Sequence, residues 1–461
     1  MERLLITLIL VCTMNNITNA QNPFYGQYHT PHEAVPFDRI ETEHYEPAIL
    51  EGIKLQNAEI EAIIQNPEKA DFTNTIEAFE ESGELLDKVV AVFGNMLSAE
   101  TNDDLQELAQ KIMPLLSEHS NNITLNEKLF ARVKEVYNQK ETLQLTQEQK
   151  QLLENAYNSF IRHGANLEGE AREEYRRLTT ELSKLTLTFS ENNLKETNAY
   201  HMLLTKKESL AGLPEIIIEA AAATATNEDK EGWAFTLPAP RYIPFMTYSD
   251  NRDLRQKLYM AYNTKCTHDN EFNNIDIVKK IANTRMKIAQ LLGYKDYAEY
   301  TLKKRMAENS KSVYKLLNQL LEAYTPTAQQ EYKEIQELAR EEQGADFVVM
   351  PWDWSYYSNK LKDKKFNINE EMLRPYFELE QVKKGVFGLA EKLYGITFRK
   401  NTEIPVYHKE VEAFEVFDKD GKFLAVLYTD FHPRPGKRAG AWMTSYKDQW
   451  IDKKTGKNSR P

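Results

Sequence analysis

No proline stands between Pro114 and Pro214. A proline inside a helix removes a hydrogen bond and clashes with the preceding turn, so so long a stretch without one leaves extended helices open to the chain. Apolar residues within it recur at three- and four-residue spacings, the period of a helix with one buried face. Leu129, Phe130, Val133 and Tyr137 mark one helix, and Leu152, Leu153, Ala156, Tyr157 and Phe160 a second. Leu178, Leu182, Leu185 and Phe189 mark a third. Thr146 and Gln149 stand at capping-box spacing ahead of the second. "KLTLTF" alone alternates like a strand, but the longer period around it predicts helix. Glycine and proline, 17 each in 461 residues, are scarce enough to favour helices over an all-β build.

The rest of the chain fits that frame. Residues 21–47 are irregular, with Pro23, Pro31, Pro36 and Pro47, and helical periodicity starts near His44 and runs to about Gln65. Thr75 is placed to cap the next long helix, whose apolar stripe is Leu85, Leu86, Val89, Val92, Phe93 and Met96. An N-terminal helical region thus covers 21–204. Residues 205–248, with four prolines and a β-like piece around Trp233 to Leu237, read as a connecting segment. A second helical region follows over 249–400, with a helical hairpin expected over Ser310 to Gln343 and a further helix over Met372 to Tyr394. Near Ile404 the period changes from 3.6 to 2. "VEAFEVF", the turn "DKDGK" with Gly421 placed for positive φ, and "FLAVLYTDF" predict a β-hairpin. "FHPRPGKRAGAWM" predicts another strand, so 401–461 reads as a hairpin and an edge strand. The expected fold is mostly α, with a small sheet near the C-terminal end.

The net charge is 58 − 70 = −12. An acidic chain without a basic block is unsuited to wrapping nucleic acid. Lys360, Lys362, Lys364 and Lys365 alternate with Asp363 and read as a solvated face. Residues 1–20 read as a signal peptide: Arg3, an apolar run from Leu4 to Met14, then Thr18 and Ala20 as small residues before cleavage ahead of Gln21. That run is shorter than the about 20 residues a membrane span needs. Export to a periplasmic or extracellular space is expected. Val11 stands before Cys12 where a lipoprotein signal carries a small residue, so lipidation is not expected. No later stretch is long and apolar enough to span a membrane. Cleavage leaves Cys266 as the one cysteine, which excludes an internal disulfide.

Familiar chemical motifs are missing. No two glycines have G-x-G spacing, "GKRAG" lacks the G-K-[ST] ending of a phosphate loop, and there is no G-x-S-x-G elbow. His29 and His32 flank Pro31, a poor frame for aiming two imidazoles at one ion. His408 and His432 read as packing or surface residues. Composition and spacing alone give an exported, largely helical, multi-domain protein.

Several stretches carry more. "DFTNTIEAFEESGELLDKV", "YIPFMTYSDNRDLRQKLYMAY", "AQLLGYKDYAEYTL", "PWDWSYYSNKL", "LRPYFELEQVKKGVFGLAEKLYGITF", "IPVYHKEVEAFEVFD" and "RPGKRAGAWM" occur in this order. The chain resembles the thimet-oligopeptidase-like zinc metallopeptidases, in their dipeptidyl carboxypeptidase branch. The resemblance implies an almost wholly helical fold of two halves around a deep channel, with a small sheet beside the active site. It implies one zinc ion, peptide substrates, release of dipeptides from free carboxyl ends, and a monomer when complete. The family's motif is H-E-x-x-H: two histidines four apart share a helix face and hold the zinc, and the glutamate takes a proton from its water. Here no histidine is followed four residues later by another. In the family that motif lies downstream of the segment that here ends at Pro461. The expectation is therefore a chain truncated before its zinc motif, with neither catalytic residues nor metal ligands of its own, inactive alone.

The resemblance places the substrate along the closing strand, on Ala439, Gly440, Ala441 and Trp442. An edge strand offers free N–H and C=O groups to an extended peptide. Gly440 would let two backbones approach and Trp442 would wall a side-chain pocket; Ala439 stands where the family usually has glycine. Packing of Ala441 and Trp442 as sheet core is the other reading. Trp352, Trp354, Tyr356 and Tyr357 either line a channel or anchor a helix start with Asp353 as cap, and the structural role is favoured. The functional alternative to a zinc peptidase is a non-catalytic helical scaffold or peptide-binding protein of the same fold.

Overall fold

The computed structural model describes residues 22–451, 456 and 458–461, so the predicted signal peptide lies outside the described residues. The chain divides into two compact units. One holds the described residues up to Leu187 together with Phe387–Pro461, and the other is Thr188–Val386.

In the first unit, α1 (Thr42–Gln65) packs on α2 (Glu84–Ala99). Gly52 allows the approach, because a Cβ there would lie 2.9 Å from the Leu86 Cα. Between them a π-type turn spans Phe72–Glu77. Its cap is Asp71 and not Thr75: Asp71 accepts from the Asn74 N–H (2.7 Å) and Asn74 accepts from the Asp71 N–H (3.0 Å). Thr75 is buried inside the turn. Next come α3 (Asp103–Thr124), α4 (Glu127–Asn138), α5 (Gln147–Arg162) and α6 (Gly169–Ala199). The capping box ahead of α5 forms as predicted, Gln149 N–H to Thr146 Oγ1 at 3.2 Å and Thr146 N–H to Gln149 Oε1 at 3.0 Å. "KLTLTF" is helical, inside α6. Phe72, Ile76, Leu129, Val133, Leu153 and Phe160 belong to one buried cluster. Phe24, Tyr45, Ile49, Val89, Phe93 and Ile112 belong to another.

In the second unit, residues 205–248 are more than a connection. β1 (Met202–Leu204) pairs antiparallel with β2 (Trp233–Phe235), and the segment carries α7 (Glu215–Asn227) and α8 (Ala239–Tyr248). Two of its four prolines open helices: Pro214 and Pro238 directly precede α7 and α8, where no intrahelical N–H is lost. Met202, Ile217, Ala221, Phe235, Phe245 and Leu258 of α9 (Arg252–Asn263) form its buried cluster. Beyond α10 (Ile275–Leu291), the expected hairpin over 310–343 is one helix, α11 (Ser310–Gln343), which runs through Pro326. α12 (Trp354–Phe366) and α13 (Leu379–Tyr394) follow.

The chain then returns to the first unit as a three-stranded antiparallel sheet, β3 (Thr397–Lys400), β4 (Glu412–Phe417) and β5 (Phe423–Thr429), in that order. The predicted hairpin is β4–β5, with Phe414 opposite Leu427 and Gly421 at φ +75° in the turn. Phe387 stacks on Phe398 at 4.1 Å. The expected edge strand is absent: residues 430–450 form no strand, and Ile451 bridges Asn458 beyond them. The fold is mostly helical with small antiparallel sheets, as predicted. Among the described residues no helix is long and apolar enough to cross a membrane.

Candidate functional site

The segment after β5 is irregular because its polar groups are committed to a partner more than three hundred residues earlier. α2 ends at Ala99, and the last carbonyls of a helix lack intrahelical donors. Arg438 N–H donates to the Ser98 carbonyl (2.8 Å), and Arg434 Nη2 donates to that of Ala99 (2.6 Å). Thr101 N–H in turn donates to the Gly436 carbonyl (2.8 Å). The contact is so close that a Cβ on Gly436 would fall 2.4 Å from the Thr101 oxygen. A cation at a helix C-terminus also meets the favourable end of the dipole.

Arg434 is the centre of this arrangement. Its Nη1 and Nη2 donate to Oδ1 and Oδ2 of Asp430, both at 2.8 Å, and its Nε bonds the Glu100 carboxylate. The Asp430 and Arg434 side chains are 10% and 8% exposed. Tyr407 Oη donates to Asp430 Oδ2 (2.9 Å), and Lys437 Nζ lies 2.9 Å from Oδ1. Lys437 Nζ also donates to the carbonyls of Asp430 (2.7 Å) and His432 (3.1 Å), closing the turn on itself. Burial pushes the Asp430 carboxyl up, but the hydrogen bonds from Arg434, Lys437 and Tyr407 outweigh it and hold its pKa at about 2.

Immediately beyond this turn stand the four residues predicted to meet substrate. Ala439, Gly440 and Ala441 are exposed and Trp442 is half-buried. Among the described residues, no backbone–backbone hydrogen bond engages 439–444. The free N–H and C=O groups expected of an edge strand are therefore present, though the segment belongs to no sheet. Ala441 is not sheet core. Gly440 sits at φ +99°, a conformation that favours glycine, and nothing lies within 4 Å of where its Cβ would be. Ala439 is not among the residues with positive φ, so its methyl brings no left-handed strain. Trp442 Nε1 points back to the Arg438 carbonyl at 3.4 Å, and the Arg438 guanidinium lies 5.1 Å from the indole.

In the aromatic motif of the second unit the two tyrosines are core, while Trp354 is exposed. Tyr356 and Tyr357 are buried in a fourth cluster with Ile335 and Val349. Asp353 does not cap α12. It accepts from Arg252, from Arg255 Nη2 (2.8 Å) and from the Met350 N–H (3.0 Å). Cys266 is buried and burial pushes its thiol up to about 12, as for an inert packing residue.

Residues 245–460 match Peptidase family M3, a range that takes in Asp353, the Arg434 turn and residues 439–442. This chain therefore carries a Peptidase family M3 domain over those residues. It is 36% identical to dipeptidyl carboxypeptidase of Escherichia coli strain K12 over 436 residues, covering 94% of this chain and 64% of that protein. It is 32% identical to oligopeptidase A of Salmonella typhimurium over 426 residues, covering 92% of this chain and 62% of that protein. Against organellar oligopeptidase A of Arabidopsis thaliana the identity is 29%, over 92% of this chain and 54% of that protein. The chain thus spans less than two thirds of the length of these relatives. The residues in hand do not suit a peptidase zinc. No histidine pair has the four-residue spacing, and among the described residues no group of three or more His, Cys, Asp or Glu is placed to hold a metal ion. His29 is exposed, while His32 bonds Glu415 (2.6 Å) and stacks on Phe423 at 3.8 Å.

Sequence reasoning missed Asp430, Arg434 and Tyr407 as a unit. The four-residue spacing of Asp430 and Arg434 was a local signal for the pair. Nothing local pointed to Glu100 or Thr101.

Proposed function

We propose that this protein is a zinc-dependent peptidase that releases dipeptides from the carboxyl ends of oligopeptides. In it, these 461 residues provide a seat for the peptide and not the clamp for the ion. The observation that carries the reading is the alignment of 94% of the chain with a dipeptidyl carboxypeptidase. The exposed, unpaired backbone of 439–444 supports it, since extended peptides are held through main-chain groups with side-chain pockets beside them. Trp442, half-buried next to that backbone, would wall such a pocket. Zinc would supply a water of lowered pKa; its ligands would come from outside the described residues. The signal-like residues 1–20 support export and cleavage after Ala20.

The second reading, a non-catalytic peptide-binding protein of the same fold, uses the same seat; the lack of a histidine pair in the sequence favours it. Expression of the complete natural reading frame that contains these residues separates the two. The peptidase reading predicts dipeptides released from a blocked oligopeptide, with loss of activity on chelation and recovery with zinc. A purified product that binds the oligopeptide and leaves it intact would overturn that reading in favour of the second.

A further inference from the structure

Residues 439–442 have free backbone groups, yet no sheet holds them in line. What holds them lies just before. The chain from Asp430 to Arg438 is tied to 98–101 at two backbone points and by one buried arginine. Arg438 N–H is fixed on Ser98 and Thr101 N–H on Gly436, both at 2.8 Å. Arg434 spans Asp430, Glu100 and the Ala99 carbonyl with its whole guanidinium. The next side chain contact passes this order on: Trp442 Nε1 bonds the carbonyl of Arg438. A single series of contacts therefore runs from the end of α2, through Arg434 and Gly436, to the indole beside the exposed backbone.

We propose that Arg434 and Gly436 are positioning residues for peptide binding: they set the course of 439–442 so that its free backbone groups face a peptide in register. This rests on the reading that a peptide lies along 439–442. Arg434 suits the task because a planar fork can satisfy two carboxylates and a carbonyl at once, which a lysine cannot. Tyr407 and Lys437 hold Asp430, and so act one step further back.

The test is calorimetric titration of the chain with N-acetyl-hexaalanine bearing a free carboxyl end. Amide exchange is followed at 439–444 and, as a control, in the buried helix Glu127–Asn138. Peptide is expected to slow exchange at 439–444 in the natural chain. Arg434→Ala is expected to weaken binding roughly tenfold, as misplacement of a binding group does, with control exchange unchanged. Arg434→Lys should recover only part of that loss. Should Arg434→Ala fail to fold, Tyr407→Phe, which deletes one hydrogen bond to Asp430, is read by the same criterion with a smaller loss. Variants that fold and bind as the natural chain does would overturn the positioning role while leaving the peptide seat in place. A natural chain that shows neither binding nor slowed exchange at 439–444 would remove the seat itself, and the proposal with it.

Discussion

Replacing Asp353 with alanine is expected to destabilise the second unit by about 3–5 kcal/mol, the cost of leaving a buried charge without its partner. The Asp353 side chain is 0% exposed and that of Arg255 is 2% exposed. Arg255 Nη2 donates to Asp353 Oδ1 at 2.8 Å, and its Nη1 donates to the Ser249 carbonyl at 2.7 Å. Arg252 adds Nη2 to Oδ2 at 2.7 Å from the other side. Burial pushes the Asp353 carboxyl up, and the bonds from the two arginines overturn that and hold it below the usual carboxylate range. Removing the carboxylate leaves the Arg255 cation in the interior with the Ser249 and Trp352 carbonyls and the Tyr356 ring, but no anion from Asp353. The double replacement Asp353→Leu with Arg255→Met should lie closer to the natural protein than Asp353→Ala does, because a well-packed apolar pair needs no charge compensation. Urea unfolding of the three proteins checks this. Equal stability of Asp353→Ala and the natural chain would refute it.

The second large effect is expected in acid. Asp430 titrates near pH 2 in the folded protein, below its ordinary 3.8. A depressed carboxylate stabilises the fold above the unfolded value and loses that contribution as pH falls through the folded one. The Asp430 contribution is therefore complete above about pH 5, worth about 2 kcal/mol, and fades between about pH 4 and pH 2. Other paired carboxylates such as Glu415 fade in acid as well, so the useful quantity is a difference. The natural chain should exceed Asp430→Asn in stability at pH 7, and that gap should shrink as pH is lowered to 2. A gap that stays constant over this range would assign the effect to something other than ionisation.

Both clusters show where a sequence stops being legible. Helix existence was readable wherever one face repeats, as at Leu129, Phe130 and Val133, since burial of that face needs no distant information. The capping box at Thr146 and Gln149 and the Gly421 turn were readable for the same reason: their partners are neighbours in the chain. Thr75 does not cap the long helix: it lies buried in a separate turn capped by Asp71, and the helix starts at Glu84 after Gly83. A helical hairpin was expected over 310–343, yet one helix runs through Pro326. A proline costs a helix about 3 kcal/mol and kinks it without ending it in every case. The prolines of 205–248 suggested a connector, where two of them mark helix starts.

The tail from Asp430 onward was the hardest to read. Its alternation resembles a strand, with Gly440 read as a point of close backbone approach. What decides its course is the end of α2, through Ser98, Ala99, Glu100 and Thr101, far away in sequence. The positions offered as substrate contacts, Ala439 to Trp442, came from the family resemblance. The structure adds that their backbone is free and exposed, and that Gly440 has a conformation suited to glycine.

We propose that this polypeptide seats a peptide and does not by itself cut it. The most direct measurement incubates the purified 461-residue chain with N-acetyl-hexaalanine and excess zinc, removes unbound metal, and follows products by mass spectrometry and metal by elemental analysis. The account predicts intact peptide and no stoichiometric zinc. Dipeptide accumulating in step with tightly held zinc would contradict it.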